Sequence, residues 1–469
     1  MALKKIYGLK KIGNKEKKKI LDIAKGSAAL NGAGEISVVE NPNYIYPRYS
    51  FYPLADKIQQ PLAQLKGVVT DMDGTTTTTE VLCINSLEYM VRVMTGREEA
   101  IKWTGLDHLK DYPHIIGNST TKHVEYLLKA YGKFIRPLFV KRSFINAGVW
   151  TLVAGQDENR RREVSNNIQV FGAAGLLKEP LVLALQKHRQ VTAEAARRVA
   201  KKLEKRYLLK LKITTQNDLV RAGVDIYYQR YHYILGKIDQ GKGKTIRKSL
   251  GLTRHLIEPM PGIGIYLSLL RGWLGKDLVK FYPYLEAHLL SNRYLRYSKK
   301  YLSTCKKNLG QIGAYYAKNP VPIAIVTSSI EYEARIVLNE VFKEIRRQIA
   351  EWPLSAGKKE KLKKYFSDYK NIYNGFITAS DSSEIRLKPH RDLFSLALHQ
   401  LGIGPRDFKY VIGFEDSESG LLAIRAAGIG KSIAVPFTDT LGHDLSSANI
   451  ILYGGIPEAI LIHRTFVKI

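Results

Sequence analysis

One stretch limits what this chain can fold into: Lys66-Gly-Val-Val-Thr-Asp-Met-Asp-Gly-Thr-Thr76. Its Val/Thr run is short and bounded, which fits a buried strand and not a helix. Gly74 lets the chain turn sharply at the strand end. The strand therefore delivers Asp71 and Asp73 to its C-terminal edge, where open α/β sheets bind ligands. Two carboxylates placed there can act as nucleophile or metal ligand and as general acid/base. Asp-Gly is also ordinary turn chemistry, so the chemical reading depends on what else the chain carries.

Three further stretches follow in order. Ile323-Ala-Ile-Val-Thr327-Ser328-Ser329 reads as a second buried strand ending in hydroxyls. Lys388-Pro389 opens an amphipathic stretch from His390 to Leu401. Tyr410-Val-Ile-Gly413-Phe-Glu415-Asp416-Ser417 reads as a third strand ending in acids. Together these motifs resemble the haloacid dehalogenase superfamily, most closely its beta-phosphoglucomutase-like branch. The resemblance covers residues 66–82 and about 318–455. It implies a doubly wound α/β core with a cap domain inserted after the first strand.

The resemblance also implies roles. Asp71 maps onto the nucleophile that forms an aspartyl-phosphate, and Asp73 onto the general acid/base. Thr327 maps onto the hydroxyl that binds the transferring phosphoryl group, with Ser328 beside it. Lys388 maps onto the lysine that sits over phosphate and nucleophile, and Gly74, Thr75 and Ser328 onto residues that bind the substrate phosphate. Mg²⁺ is the implied cofactor. Its expected ligands are Asp71, the backbone carbonyl of Asp73, and Asp416, with Glu415 ligating directly or through water. The implied activity is Mg²⁺-dependent hydrolysis of a phosphomonoester. Two alternatives are a phosphosugar mutase using the same motifs and a nucleic-acid or polyanion binding protein on the same scaffold.

At 469 residues the chain has room for two or three domains. Residues 1–65 read as a basic N-terminal arm and an irregular strap packed on the core. Residues 66–82 and 318–469 read as the catalytic core. Residues 83–317 have mainly helical spacing and are too long for a loop, so they read as an inserted cap. Thr192-Ala-Glu-Ala195 marks a helix start within it. Gly357-Lys-Lys-Glu-Lys-Leu-Lys-Lys364 reads as a solvated insertion in the core. With only Cys83 and Cys305 there is no disulfide framework, so a cytoplasmic setting is expected. No stretch approaches the length of a membrane span; the longest apolar run, Met260 to Leu270, stops at Arg271.

Net charge is +30 and uneven. Residues 1–20 hold eight Lys and one Glu, whereas residues 187–307 hold 27 Lys/Arg against eight Asp/Glu, a net +19. Residues 401–469 are near neutral. A middle segment this basic, inserted between the first and second motifs, is expected to stand over the site and favour a strongly anionic phosphorylated substrate. Tyr227-Tyr-Gln-Arg230-Tyr231-His-Tyr233 and the basic run from Lys242 to Lys248 interleave aromatics and cations as nucleic-acid surfaces do, without a nucleic-acid motif.

Overall fold

Parallel strands must be joined by crossovers of a dozen or more residues, usually helices. Alternation of apolar runs and helical stretches through the second half of this chain meets that requirement. In a computed structural model of the protein, the described residues are 5–8, 14–26, 33–41, 45–96, 103–115, 120–188, 191–253, 255–382, 386–437 and 443–469. Lys4, Lys10 and Lys11 of the expected basic arm lie outside them. In chain order the strands are β1 (Lys5–Tyr7), β2 (Glu35–Glu40), β3 (Tyr49–Pro53), β4 (Gly67–Asp71), β5 (Thr77–Thr78) and β6 (Glu258–Pro259). They continue with β7 (Ile323–Val326), β8 (Gly375–Ile377), β9 (Val411–Glu415), β10 (Lys431–Ala434) and β11 (Ile450–Ile451).

A six-stranded sheet has the order β11-β10-β9-β4-β7-β8, with every neighbouring pair parallel. β4, β7, β9 and β10 are buried along their whole length, which is why they read as continuous apolar runs. From β4 the chain builds outward through β7 and β8, then returns to β9 and builds the other way. Crossovers thus diverge at the adjacent strands β4 and β9. Such a switch point opens a crevice at the strands' carboxyl ends. Val69, Ala324, Val326 and Val411 pack against Leu393, Phe394, Ala423 and Ile424 from helices Asp392–Gln400 and Glu418–Ala426. The core is therefore the doubly wound α/β type expected from the motifs.

The chain divides into two compact units. The first comprises Met1–Thr78, Glu258–Ala334 and Leu338–Ile469; the second comprises Thr79–Ile257 with Arg335–Val337. The second unit is helical, with Glu80–Thr95, Pro137–Ala154, Ala193–Tyr207 and Gln216–Asp239 among its longer helices. Its Thr192 caps a helix as read from the sequence, accepting from the Ala195 backbone N–H at 3.1 Å. Inside it, Arg160 pairs with the buried Asp225 at 2.8 Å, and Asn167 donates to the other Asp225 oxygen at 2.8 Å.

The division falls at residues 257 and 258, not at 317. β5 and β6 pair antiparallel where the chain leaves and re-enters the first unit. Helices Ile263–Leu270, Tyr282–Ser291 and Lys299–Lys318 then belong to that unit. Ile263–Leu270 is buried at every position and packs Tyr266 edge-on to Phe414 of β9, at 5.5 Å between ring centroids. Its apolar run is a core helix, and helical spacing alone does not say which unit a helix joins. The basic segment is split accordingly. Residues 187–257 hold 18 Lys/Arg against 5 Asp/Glu, and residues 258–307 hold 9 against 3.

Two other expectations are corrected. The strap is ordered: β1, β2 and β3 form a mixed three-stranded sheet, with helix Asn14–Gly26 between β1 and β2 in the chain. Tyr7, Val39, Tyr52 and Leu54 bury their side chains on Leu422 and Ala426, so these aromatics are packing residues. The stretch from Gly357 to Lys364 lies in helix Ala356–Tyr365, anchored by the buried Leu362. Its lysines obscured one inward face.

The N-terminal sheet also meets the core at a buried polar contact, where Tyr52 Oη and His390 Nδ1 lie 2.7 Å apart. Burial, with Arg386 nearby, lowers the His390 pKa to about 4. An unfolded histidine protonates near pH ~6.5. As pH falls from about 6.5 to 4, the unfolded chain takes up a proton that the folded chain refuses, so stability is lost across that window, by up to about 3 kcal/mol. Denaturant unfolding at about pH 7 and pH 4.5 should show a smaller acid loss in His390→Gln than in wild type. Equal losses would remove His390 as the cause.

Candidate active site

β4 ends at Asp71, and the next turn is fixed by hydroxyls and one glycine. Thr76 Oγ1 donates to the Asp71 carbonyl at 2.7 Å, and the Thr76 and Thr77 N–H groups donate to the Met72 carbonyl at 2.9 and 3.0 Å. Gly74 has φ +83°, and its N–H donates to the Thr77 carbonyl at 2.8 Å. A Cβ there would lie 2.3 Å from Asp416 Oδ2, so the position needs glycine for both conformation and space. Thr75 Oγ1 reaches Asp416 Oδ1 at 3.5 Å.

β9, the neighbour of β4, ends at Glu415. Glu415 Oε2 accepts from the Ser417 N–H at 2.6 Å and the Ser417 hydroxyl at 2.8 Å. Gly420, in the first turn of the following helix, leaves room for that carboxylate: a Cβ would lie 1.7 Å from Glu415 Oε1. Lys388 Nζ bridges the strand ends, donating to Asp71 Oδ1 and, at 2.8 Å, to Glu415 Oε1. Asp73 points to β7, where its Oδ2 accepts from Thr327 Oγ1 at 3.0 Å and Ser329 Oγ at 3.3 Å.

The structure thus brings Asp71, Lys388, Glu415 and Asp416 into one cluster and joins Asp73 to Thr327. Ser328 does not take part: it is exposed, and the hydroxyl that reaches Asp73 belongs to Ser329. β7 ends at Val326, and in the bend that follows the Ser329 N–H donates to Thr327 Oγ1 at 2.9 Å, which brings the two residues together.

Burial and charge act together on the cluster. Burial pushes the Asp71 carboxyl well above the usual range, with Glu415 and Asp73 adding to the effect and Lys388 opposing it. Burial also acts to raise Glu415, but the Lys388 ammonium and the Ser417 donors outweigh it and hold Glu415 low. Burial disfavours the Lys388 ammonium, yet Asp71 and Glu415 outweigh it and keep the amine charged. Ligand oxygens of the buried Asp71, Glu415 and Asp416 lie within 4.8 Å of one another. An all-oxygen donor set suits a hard divalent cation such as Mg²⁺.

No family model matches the chain, and no curated protein does. The solved structures it resembles include haloacid dehalogenase hydrolases. A HAD family hydrolase from Deinococcus radiodurans, solved with phosphate and sodium, is 14% identical, with 87% of this chain and 99% of that chain covered and a TM-score of 0.33. CbbY from Rhodobacter sphaeroides, in complex with phosphate, is 13% identical over 84% of this chain and 96% of that one, with a TM-score of 0.37. A beta-phosphoglucomutase from Clostridium difficile is 12% identical over 83% and 90%, with a TM-score of 0.32.

Proposed function

We propose that this chain is a Mg²⁺-dependent phosphohydrolase that acts on a small anionic phosphomonoester through an aspartyl-phosphate. The observation that carries this reading is the grouping of Asp71, Lys388, Glu415 and Asp416 at the β4/β9 switch point, with Asp73 held two residues away by Thr327. Asp71 attacks phosphorus as its carboxylate, and the bond to the leaving oxygen breaks. Asp73 gives that oxygen a proton. Asp73 then takes a proton from water as the water attacks phosphorus and the bond to Asp71 breaks. Thr327 has one hydroxyl proton, which reaches Asp73 in this structure; a phosphoryl oxygen would compete for it. Lys388 holds positive charge against the nucleophile.

Asp71, Glu415 and Asp416 would hold Mg²⁺, which supplies positive charge against the phosphoryl oxygens. Neither Cys83 nor Cys305 is in a disulfide, which fits a cytoplasmic setting. Among the described residues, no helix is long and apolar enough to cross a membrane.

The test is a screen of phosphomonoesters with purified protein and Mg²⁺, read as inorganic phosphate. Free phosphate is the expected product. An isomeric sugar phosphate without free phosphate would indicate a mutase, and no turnover of any ester would refute the reading. EDTA should abolish activity and Mg²⁺ restore it. Asp416→Ala should raise the Mg²⁺ concentration needed by about tenfold or more, both in activity and in calorimetric titration of the metal. Full activity after thorough chelation would count against the metal.

A further inference from the structure

The basic–aromatic stretch marked in the sequence at Tyr227–Tyr233 turns its rings inward. Tyr227 and Tyr231 are buried and stack on each other, 5.6 Å between centroids. The same chemistry occurs facing outward elsewhere, in the first unit. From Ala287 to Ile330 the sequence contains no Asp or Glu and seven Lys/Arg. Arg293, Arg296, Lys299, Lys300, Lys306 and Lys307 are all exposed. No ion pair joins any of the six to a carboxylate among the described residues.

Tyrosines lie among these cations. Tyr294 is 43% exposed and Tyr301 45%, large values for aromatic rings in a folded unit. Tyr453, 42% exposed, lies 6.1 Å from Tyr294 between centroids. Tyr301 stacks on Tyr297 at 5.7 Å with 19° between the ring planes. The platform is held in place from beneath. Asn292 donates to the Tyr453 carbonyl at 2.7 Å, and Tyr297 Oη donates to Glu458 at 2.7 Å. Arg293 lies over the Tyr294 ring at 4.8 Å.

We infer that the face formed by residues 292–307 and Tyr453 binds single-stranded nucleic acid, with bases stacking on Tyr294, Tyr301 and Tyr453 and the phosphates running along the lysines and arginines. Exposed rings offer π-faces that any base can use, and cations without carboxylate partners track a phosphate backbone. Base pairing hides these faces, so duplex is the poorer ligand. Anionic membrane shares the charge but gains nothing from rings that are fixed for stacking. This surface carries no residue of the proposed phosphohydrolase site, so it stands whether or not that reading holds.

The test is fluorescence anisotropy with a labelled mixed-sequence single-stranded oligonucleotide, its duplex, and vesicles containing phosphatidylserine, across a salt series. The single strand should bind more tightly than either competitor, with log affinity falling linearly in log salt. Tyr294→Ala/Tyr301→Ala should weaken single-strand binding by about tenfold or more while leaving the salt slope and the melting temperature in place. A variant with Gln at Lys299, Lys300, Lys306 and Lys307 should reduce the magnitude of that slope by about two to three. Unchanged affinity in the tyrosine variant would overturn the inference. So would equal or tighter binding of duplex or vesicles, or no oligonucleotide binding at low salt.

Discussion

Asp71→Asn is expected to remove turnover, by roughly four orders of magnitude or more, because the amide cannot attack phosphorus or carry a phosphoryl group. It should leave the fold intact. Asp71 is buried, and burial together with Glu415 and Asp73 already disfavours its charge. A neutral side chain of the same shape relieves that repulsion, while Lys388 keeps Glu415 as a partner at 2.8 Å. The melting temperature of the variant should therefore equal or exceed that of wild type. Turnover within about tenfold of wild type would be incompatible with Asp71 as nucleophile.

The largest expected effect on stability lies far from the chemistry, at Arg425. This arginine is 2% exposed and ties the N-terminal segment to the core. Its Nη1 pairs with Glu35 at 2.6 Å and donates to the Ser447 carbonyl at 3.2 Å. Nε and Nη2 both donate to the Ala55 carbonyl, at 3.0 and 2.6 Å. Burial acts to raise the Glu35 pKa, but Arg425 outweighs it and holds the carboxylate ionised. Arg425→Met would strand that carboxylate and the Ala55 and Ser447 carbonyls. Breaking a buried pair from one side costs about 3–5 kcal/mol; Glu35 keeps some solvent access, which places the expectation near the lower end. Denaturant unfolding measures it, and amide exchange should show β2 and β3 losing protection first. A loss below about 1 kcal/mol would mean that the apolar contacts of Tyr7, Val39 and Tyr52 hold this sheet without the arginine.

The acidic cluster at the strand ends was legible because residue type and local geometry coincide there. Three of the four motifs are apolar runs followed at once by their polar residues, and a buried parallel strand has no other way to present them. Asp71, Glu415 and Asp416 needed only that pattern; Lys388 follows no strand and was placed by the family resemblance. Ser329 was missed for Ser328, because the bend after β7 that brings Ser329 beside Thr327 has no sequence period to mark it. The N-terminal sheet was not legible, because Gly, Asn and Pro around short aromatic runs read as irregular chain. What orders those runs is Arg425 and the Leu422/Ala426 surface, hundreds of residues away. The unit boundary was hidden for a similar reason: helices on both sides of residue 257 have the same periodicity. Only the pairing of Thr77 and Thr78 with Glu258 and Pro259 marks it, and Thr77 lies 181 residues from Glu258 in the chain.

The central claim is that Asp71 carries the phosphoryl group. Rapid acid quench during turnover, followed by peptide mass spectrometry, tests it most directly. The account predicts one phosphoryl group on the peptide containing Asp71, lost on treatment with hydroxylamine and absent from Asp71→Asn. Turnover without any phosphorylated Asp71, or with the phosphoryl group on another residue, would contradict it.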